Sequence, residues 1–274
     1  MSGATLRAAA SGDEAELKAL WREVFHDEDA VIDAFFDCLY VPKDALVAVS
    51  GDGISAAAYL LRGVTLCTPD GTRPAAYFYA LATRPDCRGR GLGRKITREC
   101  MRICAQRGET FCLMPGEDSL RRWYEEIAGL RSFGTAREIA VAAAASPELE
   151  LREIGAAEYA ARREALLTDT PHAALPEGFF RFHARLCALS GGALLSLCGV
   201  NGGEGLACLE RYGETAQLPE LLWTGGAAEK AAAAIAAGCG AESCGFRAPG
   251  EGIETVVAAA PTPSPPFWWG PVFD

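Results

Sequence analysis

The sequence predicts an α+β chain built as two mixed-sheet domains in tandem. Two amphipathic helices are followed by three strand-like segments separated by turn residues, and a loop rich in glycine and arginine then opens a helix, strand, helix, strand run. The order recurs after Pro147. At 274 residues, half of them hydrophobic, the chain is long enough for one large core or two of ordinary size, and the recurrence favours two.

The first half reads element by element. Leu6 and Arg7 precede Ser11-Gly-Asp-Glu14, a capping-box spacing, and Leu17, Leu20, Trp21, Val24 and Phe25 then recur at helical intervals. Val31, Ile32, Phe35, Phe36 and Leu39 mark a second helix. ALVAV, ISAAAYLLRGVTL and AAYFYALAT, divided by the turns SGDG and PDG, read as a strand meander. After the glycine loop, Leu92, Ile96, Cys100, Ile103 and Cys104 line one helical face. The short strand TFCLM, a helix around SLRRWYEEIA and a strand near EIAVAAA are expected to complete a domain over residues 1–145.

A second domain is expected over 150–274. LREIGAAEYAARREALL echoes the opening LRAAASGDEAELKALWREVF, a weak internal repeat. ALLSLCGV, the turn NGGE and GLACLERY form a hairpin, and AQLPELLWTGG leads to the helix AEKAAAAIAAG and the strand AESCGFRAP. An unrelated α+β module of the sterol-carrier type is the alternative for this half.

Composition narrows the function. The opening residues carry acids too early for a signal peptide, and no apolar run approaches the ~20 residues of a membrane span. Eleven cysteines without C-x-x-C spacing, several of them (Cys100, Cys104, Cys187, Cys198) among apolar residues, point to core side chains in a reducing cytoplasm. His26, His172 and His183 offer no ligand spacing, so no metal is expected. A net charge of -10 argues against nucleic acid, and no membrane partner is expected; the sequence leaves the oligomeric state open.

Charge is unevenly placed. Arg84, Arg88, Arg90, Arg94, Lys95, Arg98, Arg102 and Arg107 face only Asp86 and Glu99 within that stretch. The loop CRGRGLGRKI lies inside it. After a strand and before a helix, such a loop aims unpaired backbone N–H groups and the positive end of the helix dipole at one point, and a pyrophosphate fits there. Gly89, Gly91 and Gly93 clear the approach, while Arg88, Arg90 and Arg94 supply charge-assisted donors. A dinucleotide fingerprint would need Gly or Ala at Ile96, and a P-loop would need Ser or Thr after Lys95.

Arg88-Gly-Arg-Gly91-Leu-Gly93 resembles the [Q/R]-x-x-G-x-[G/A] motif of the GNAT superfamily of acetyl-CoA-dependent N-acetyltransferases. ALATRPDCRGRGLGRKI resembles that family's strand, loop and helix start, and WYEEIAGLRSFG its later segment. The resemblance covers about residues 1–145. It implies a GNAT-like domain there, a degenerate GNAT-like domain without the cofactor loop in the second half, and acetyl-CoA as co-substrate, with no metal. It implies that Leu81, Ala82 and Thr83 pair with the pantetheine arm through their backbone, that residues 88–94, Leu92 included, hold the pyrophosphate, and that Tyr124 is the general acid.

The implied activity is transfer of acetyl to a primary amine, on a small molecule or a peptide. One departure stands out. AAYFYALAT carries no glutamate to act as base, only Tyr77 and Tyr79. The alternative from another class is therefore a protein that senses acyl-CoA without turnover. An acidic second half, fourteen acids against eight bases after residue 150, favours a cationic amine by electrostatic steering.

The tail PTPSPPFWWGPVFD supplies a candidate base. Prolines 261, 263, 265 and 266 stiffen it, and Phe267, Trp268, Trp269, Val272 and Phe273 are too apolar to remain in water, so it is expected to dock. The chain resembles the enhanced-intracellular-survival-type acetyltransferases, for which a terminal carboxylate is thought to act as base. That resemblance puts Asp274 in the role; the alternatives are a base from a water chain or a residue elsewhere, with the aromatics sealing the second domain's core and Asp274 facing solvent.

Overall fold

The computed structural model describes residues 4–51, 53–146, 148–260 and 266–271. In chain order it forms β1 (Thr5–Ala8), α1 (Glu14–Phe25), α2 (Asp29–Cys38), β2 (Ala45–Ser50), β3 (Gly53–Thr68), β4 (Gly71–Thr83), α3 (Leu92–Gln106), β5 (Thr110–Leu113), α4 (Asp118–Ala128), β6 (Arg131–Ser132) and β7 (Thr135–Ala142). The second half adds β8 (Leu149–Glu153), α5 (Ala156–Leu166), β9 (His172–Ala174), α6 (Glu177–Leu189), β10 (Ala193–Gly199), β11 (Glu204–Tyr212), β12 (Thr215–Leu218), β13 (Leu221–Trp223), α7 (Ala228–Gly238), β14 (Ser243–Glu254) and β15 (Val257–Ala258). Two compact units result, and their bounds differ from a simple division after residue 145. One comprises Met1–Leu66, Thr72–Phe133 and Val256–Thr262; the other comprises Cys67–Gly71, Gly134–Thr255 and Pro263–Asp274.

In the first unit the strands lie in the order β1-β2-β3-β4-β5-β15-β6. β1–β2 and β2–β3 are antiparallel, whereas β4 and β5 run parallel, with α3 as the crossover between them. Leu92, Ile96, Cys100 and Cys104 form the buried stripe of α3 and join Tyr124 and Ile127 of α4 against Phe78, Phe111 and Val257 of the sheet. α1 and α2 contribute a separate aromatic group, in which the Trp21 ring lies 4.6 Å from Phe35 and 5.6 Å from Tyr59. The helix start differs from the expected capping box. Ser11 opens a 3-10 turn, and the Asp13 carboxylate accepts the Ala10 N–H at 2.7 Å while pairing with Arg7.

One strand changes sheets relative to the sequence reading, and a strand not read from the sequence takes its place. The segment EIAVAAA, expected to close the first domain, is β7, and it pairs antiparallel with β14 of the second sheet from Ala142↔Ser243 to Arg137↔Ala248. The first sheet is completed by β15 instead. Val257 pairs with Leu113 on one side and Ser132 on the other; Phe133 N–H donates to Val256 O at 2.8 Å and Ala259 N–H to Phe111 O at 3.0 Å. Val256, Val257 and Ala258 are buried, so this short strand carries an apolar stake as well as backbone bonds.

The second unit orders its strands β7-β14-β12-β11-β10-β8, with β13 paired to β11. β12 and β14 are parallel, and α7 precedes β14 as α3 precedes β5. α7 is alanine-rich, and its Ala231, Ala232, Ile235 and Ala236 pack in the core with Leu197, Leu209 and Phe246. Cys198, expected in the core, is exposed on β10, while Cys100, Cys104 and Cys187 are buried. Of the tail, Phe267, Trp268 and Trp269 are buried as expected: Trp268 N–H donates to Pro171 O at 2.8 Å and Trp268 O accepts the Ala173 N–H at 2.9 Å. Pro261, Pro263 and Pro265, with Val272, Phe273 and Asp274, lie outside the described residues. Among the described residues no helix is long and apolar enough to cross a membrane.

Candidate active site

β4 and β5 stay together only briefly. Their register runs from Ala75↔Thr110 to Tyr77↔Cys112, and three residues later Ala80 takes a positive φ of 49°, a conformation that costs a non-glycine residue and bends the strand. Past that point Leu81, Ala82 and Thr83 have no register partner on β5. A strand edge released in this way offers backbone donors and acceptors to an extended ligand. Tyr77 and Tyr79 of this strand stack on each other at 6.1 Å, and Tyr79 also packs against Trp21 and Phe35.

β4 then passes through a short 3-10 turn, Pro85–Cys87, into the loop. Gly89 and Gly91 both have φ of 75°, which explains glycine at these two positions better than crowding does, since a Cβ on either would meet no atom within 4 Å. Gly91 is the N-cap of α3, no side chain caps the helix, and the first intrahelical bond after it is Lys95 N–H to Gly91 O at 3.1 Å. The amides of Leu92, Gly93 and Arg94 therefore precede any helical acceptor. The first turn carries no acid.

The arginines do more than offer charge. Arg88 Nε donates to Thr83 O at 3.3 Å and Arg90 NH2 to Asp86 O at 2.9 Å, so both brace the loop on its own backbone while remaining exposed. Arg84 is held by Asp86 at 2.7 Å. Arg94 is exposed at the helix start.

Tyr124 stands on α4 with 6% of its surface exposed. Its ring meets Phe78 of β4 edge-on at 6.3 Å and Trp123 at 4.8 Å, and the Cys100 thiol of α3 is close enough to act on it. Burial is the main reason its hydroxyl is pushed well above the ordinary tyrosine range, with Cys100 a lesser one. No protein hydrogen bond to that hydroxyl occurs among the described residues. The site thus joins residues 81–83, the 88–94 loop and Tyr124 on contiguous elements of one unit, while Asp274 lies outside the described residues. Trp123 and β15, which the sequence reading did not single out, also belong to this neighbourhood. Among the described residues no group of three or more His, Cys, Asp or Glu side chains could hold a metal ion.

An acetyltransferase (GNAT) domain model matches residues 5–126, which span α1 through α4 and the loop. Residues 5–126 belong to the GNAT superfamily. The GNAT domain is completed in space by β15, which lies well beyond the matched span. Solved structures extend the likeness over both units. A GCN5-related N-acetyltransferase from Anabaena variabilis superposes with a TM-score of 0.71 at 11% identity, covering 93% of this chain and 72% of that one. One from Kribbella flavida gives 0.65 at 17%, covering 93% and 70%, and Eis1 from Mycobacterium abscessus gives 0.63 at 14%, covering 95% and 67%. At such identities the likeness is one of fold, two mixed α+β units in tandem. No curated protein matches the sequence.

Proposed function

We propose that the GNAT domain of this chain binds acetyl-CoA and transfers its acetyl group to a primary amine, on a small molecule or a peptide. The observation that carries the reading is the set of amides at the start of α3, opened by two left-handed glycines and set beside the released edge of β4. Those amides, with Arg88, Arg90 and Arg94, fit a pyrophosphate; the backbone of Leu81, Ala82 and Thr83 fits the amides of a pantetheine arm. The thioester supplies an activated acetyl group. An amine whose ordinary pKa is near 10.4 must first lose a proton to attack it. As the C–N bond forms and the C–S bond breaks, the sulfur takes up a proton, which we assign to the Tyr124 hydroxyl. Burial suits that role, because it keeps the hydroxyl protonated at neutral and moderately alkaline pH. Asp274 is carried in this proposal as the base.

Incubation with acetyl-CoA and pooled amines, followed by free-thiol release, tests the reading. Amine-dependent thiol release supports a transferase, and its loss both in a chain lacking Phe273 and Asp274 and in one extended by a few residues, with acetyl-CoA affinity retained, supports the base. The absence of an acid on β4 favours a second reading, an acyl-CoA sensor without turnover, and tight acetyl-CoA binding with no thiol released by any amine would select it.

A further inference from the structure

The opening beside α3 has an apolar side as well as a polar one. Trp123 sets its indole edge-on to Tyr124 and extends from α4 to the first turn of α3. A methyl group built on Gly93 would lie 3.6 Å from Trp123 Cη2 and 3.5 Å from Leu81 Cδ2. The indole tip and the Leu81 side chain thus flank the same short piece of backbone whose amides precede the helical ladder. Both side chains are half-exposed and pack on the margin of the hydrophobic core. An indole left partly in water is costly, and one placed next to unsatisfied donors marks where a ligand with an anionic head and an apolar stem would lie.

We propose that Trp123 is the apolar wall of the coenzyme A arm. A pantetheine arm alternates amide groups with methylene and dimethyl segments. Backbone at Leu81–Thr83 answers the amides, and the Trp123 indole with the Leu81 side chain covers the hydrocarbon between them. This rests on the coenzyme A reading above, and it adds a ligand-binding residue that the loop motif does not contain. The affinity for the arm is then carried by a side chain of α4, separately from the affinity for the phosphates, which the α3 amides carry.

Calorimetry on the full chain with two probes, coenzyme A and ADP 3′-phosphate, which keeps the phosphates but lacks the arm, separates these contributions. Trp123→Leu should weaken coenzyme A roughly tenfold, the scale expected for losing an aromatic contact, while the nucleotide fragment binds within about twofold of the parent protein. Trp123→Phe should fall between the two, and it serves in place of Trp123→Leu if that variant does not fold. Equal coenzyme A affinity in the parent and both variants, or an equal loss for both probes, would overturn the wall. If the parent binds neither probe, the coenzyme A reading itself fails and takes the wall with it; if the parent binds coenzyme A and the variants match it, the wall alone fails.

Discussion

The starts of α3 and α7 are the same place in two similar sheets, and they have opposite fates. In each unit a strand leaves its parallel neighbour before the helix begins. β4 does so after Tyr77, leaving Leu81–Thr83 beside bare helix amides. β12 does so after Leu218, and an indole packs on the segment that leads to the helix: Trp223 lies against glycines 199, 203, 205 and 225, where added Cβ atoms would meet its ring. The α7 first turn also carries Glu229, bound to Arg137 at 2.9 Å, where an anion would need positive charge. The fold supplies the opening in both units, and side chains decide whether it is a site.

The contrast deepens at Glu220, which follows the break in the second unit's strand. It is fully buried and accepts hydrogen bonds from Arg163 Nε at 2.9 Å, Tyr159 OH at 3.0 Å and Trp268 Nε1 at 2.8 Å. Arg163, equally buried, also donates to Ala173 O and Trp269 O. This carboxylate is therefore a structural clamp that holds the tail. Glu220→Ala should strand the guanidinium without its charge partner and cost about 3–5 kcal/mol, the largest effect expected here. Chemical denaturation followed by tryptophan emission should show the unfolding free energy lowered by that amount. An unshifted midpoint would mean that the pair does not clamp the tail.

Tyr124 gives the next largest effect, because the second unit has no counterpart: β14 runs on to β15 with no helix between them. Tyr124→Phe keeps the ring and removes the proton, so turnover should fall by roughly 10² while acetyl-CoA affinity stays unchanged. The sign of the pH dependence follows from burial. Because the folded-state value is raised, the protonated hydroxyl and its contribution to stability are fully present below the ordinary tyrosine value near 10 and are lost only as pH rises through the folded value. A Tyr124-dependent rate decline well below pH 10 would contradict the raised value, and a turnover number unaltered in Tyr124→Phe where chemistry limits the rate would make the tyrosine structural.

What the sequence disclosed was local, and what it concealed was nonlocal. The loop was legible because glycine, arginine and a helical stripe follow one another within residues 87–104. β7 was legible as a strand, but alternation says nothing about which sheet a strand joins. β15 gives two residues, too few for any period. Arg163 within AARREALL reads as a solvated helix position, and only the fold brings Glu220 and Trp268 to it. Trp123 was visible beside Tyr124, but its reach to Gly93 needs α3 and α4 in place.

The smallest predicted effect is also the cleanest probe of the contrast. Gly91→Val would confuse backbone strain with blocked ligand, because φ is 75° there. Gly93 is free of that problem: it lies within α3, its φ is not positive, and an added methyl would make ordinary contacts with Leu81 and Trp123. Alanine also favours the helix over glycine by about 1 kcal/mol, so Gly93→Ala should fold at least as stably as the parent. The methyl points at those two side chains, and the motif accepts alanine at this position, so coenzyme A affinity should stay within about twofold of the parent in a protein with an equal or higher melting temperature. Gly226, in the turn before α7, has φ of 107° and no atom near an added Cβ. Gly226→Ala should instead lower the melting temperature through backbone strain, also leaving coenzyme A affinity alone. A tenfold loss of coenzyme A affinity in Gly93→Ala would mean that the methyl meets the ligand and not the two side chains, and the third glycine would then be a ligand contact in its own right.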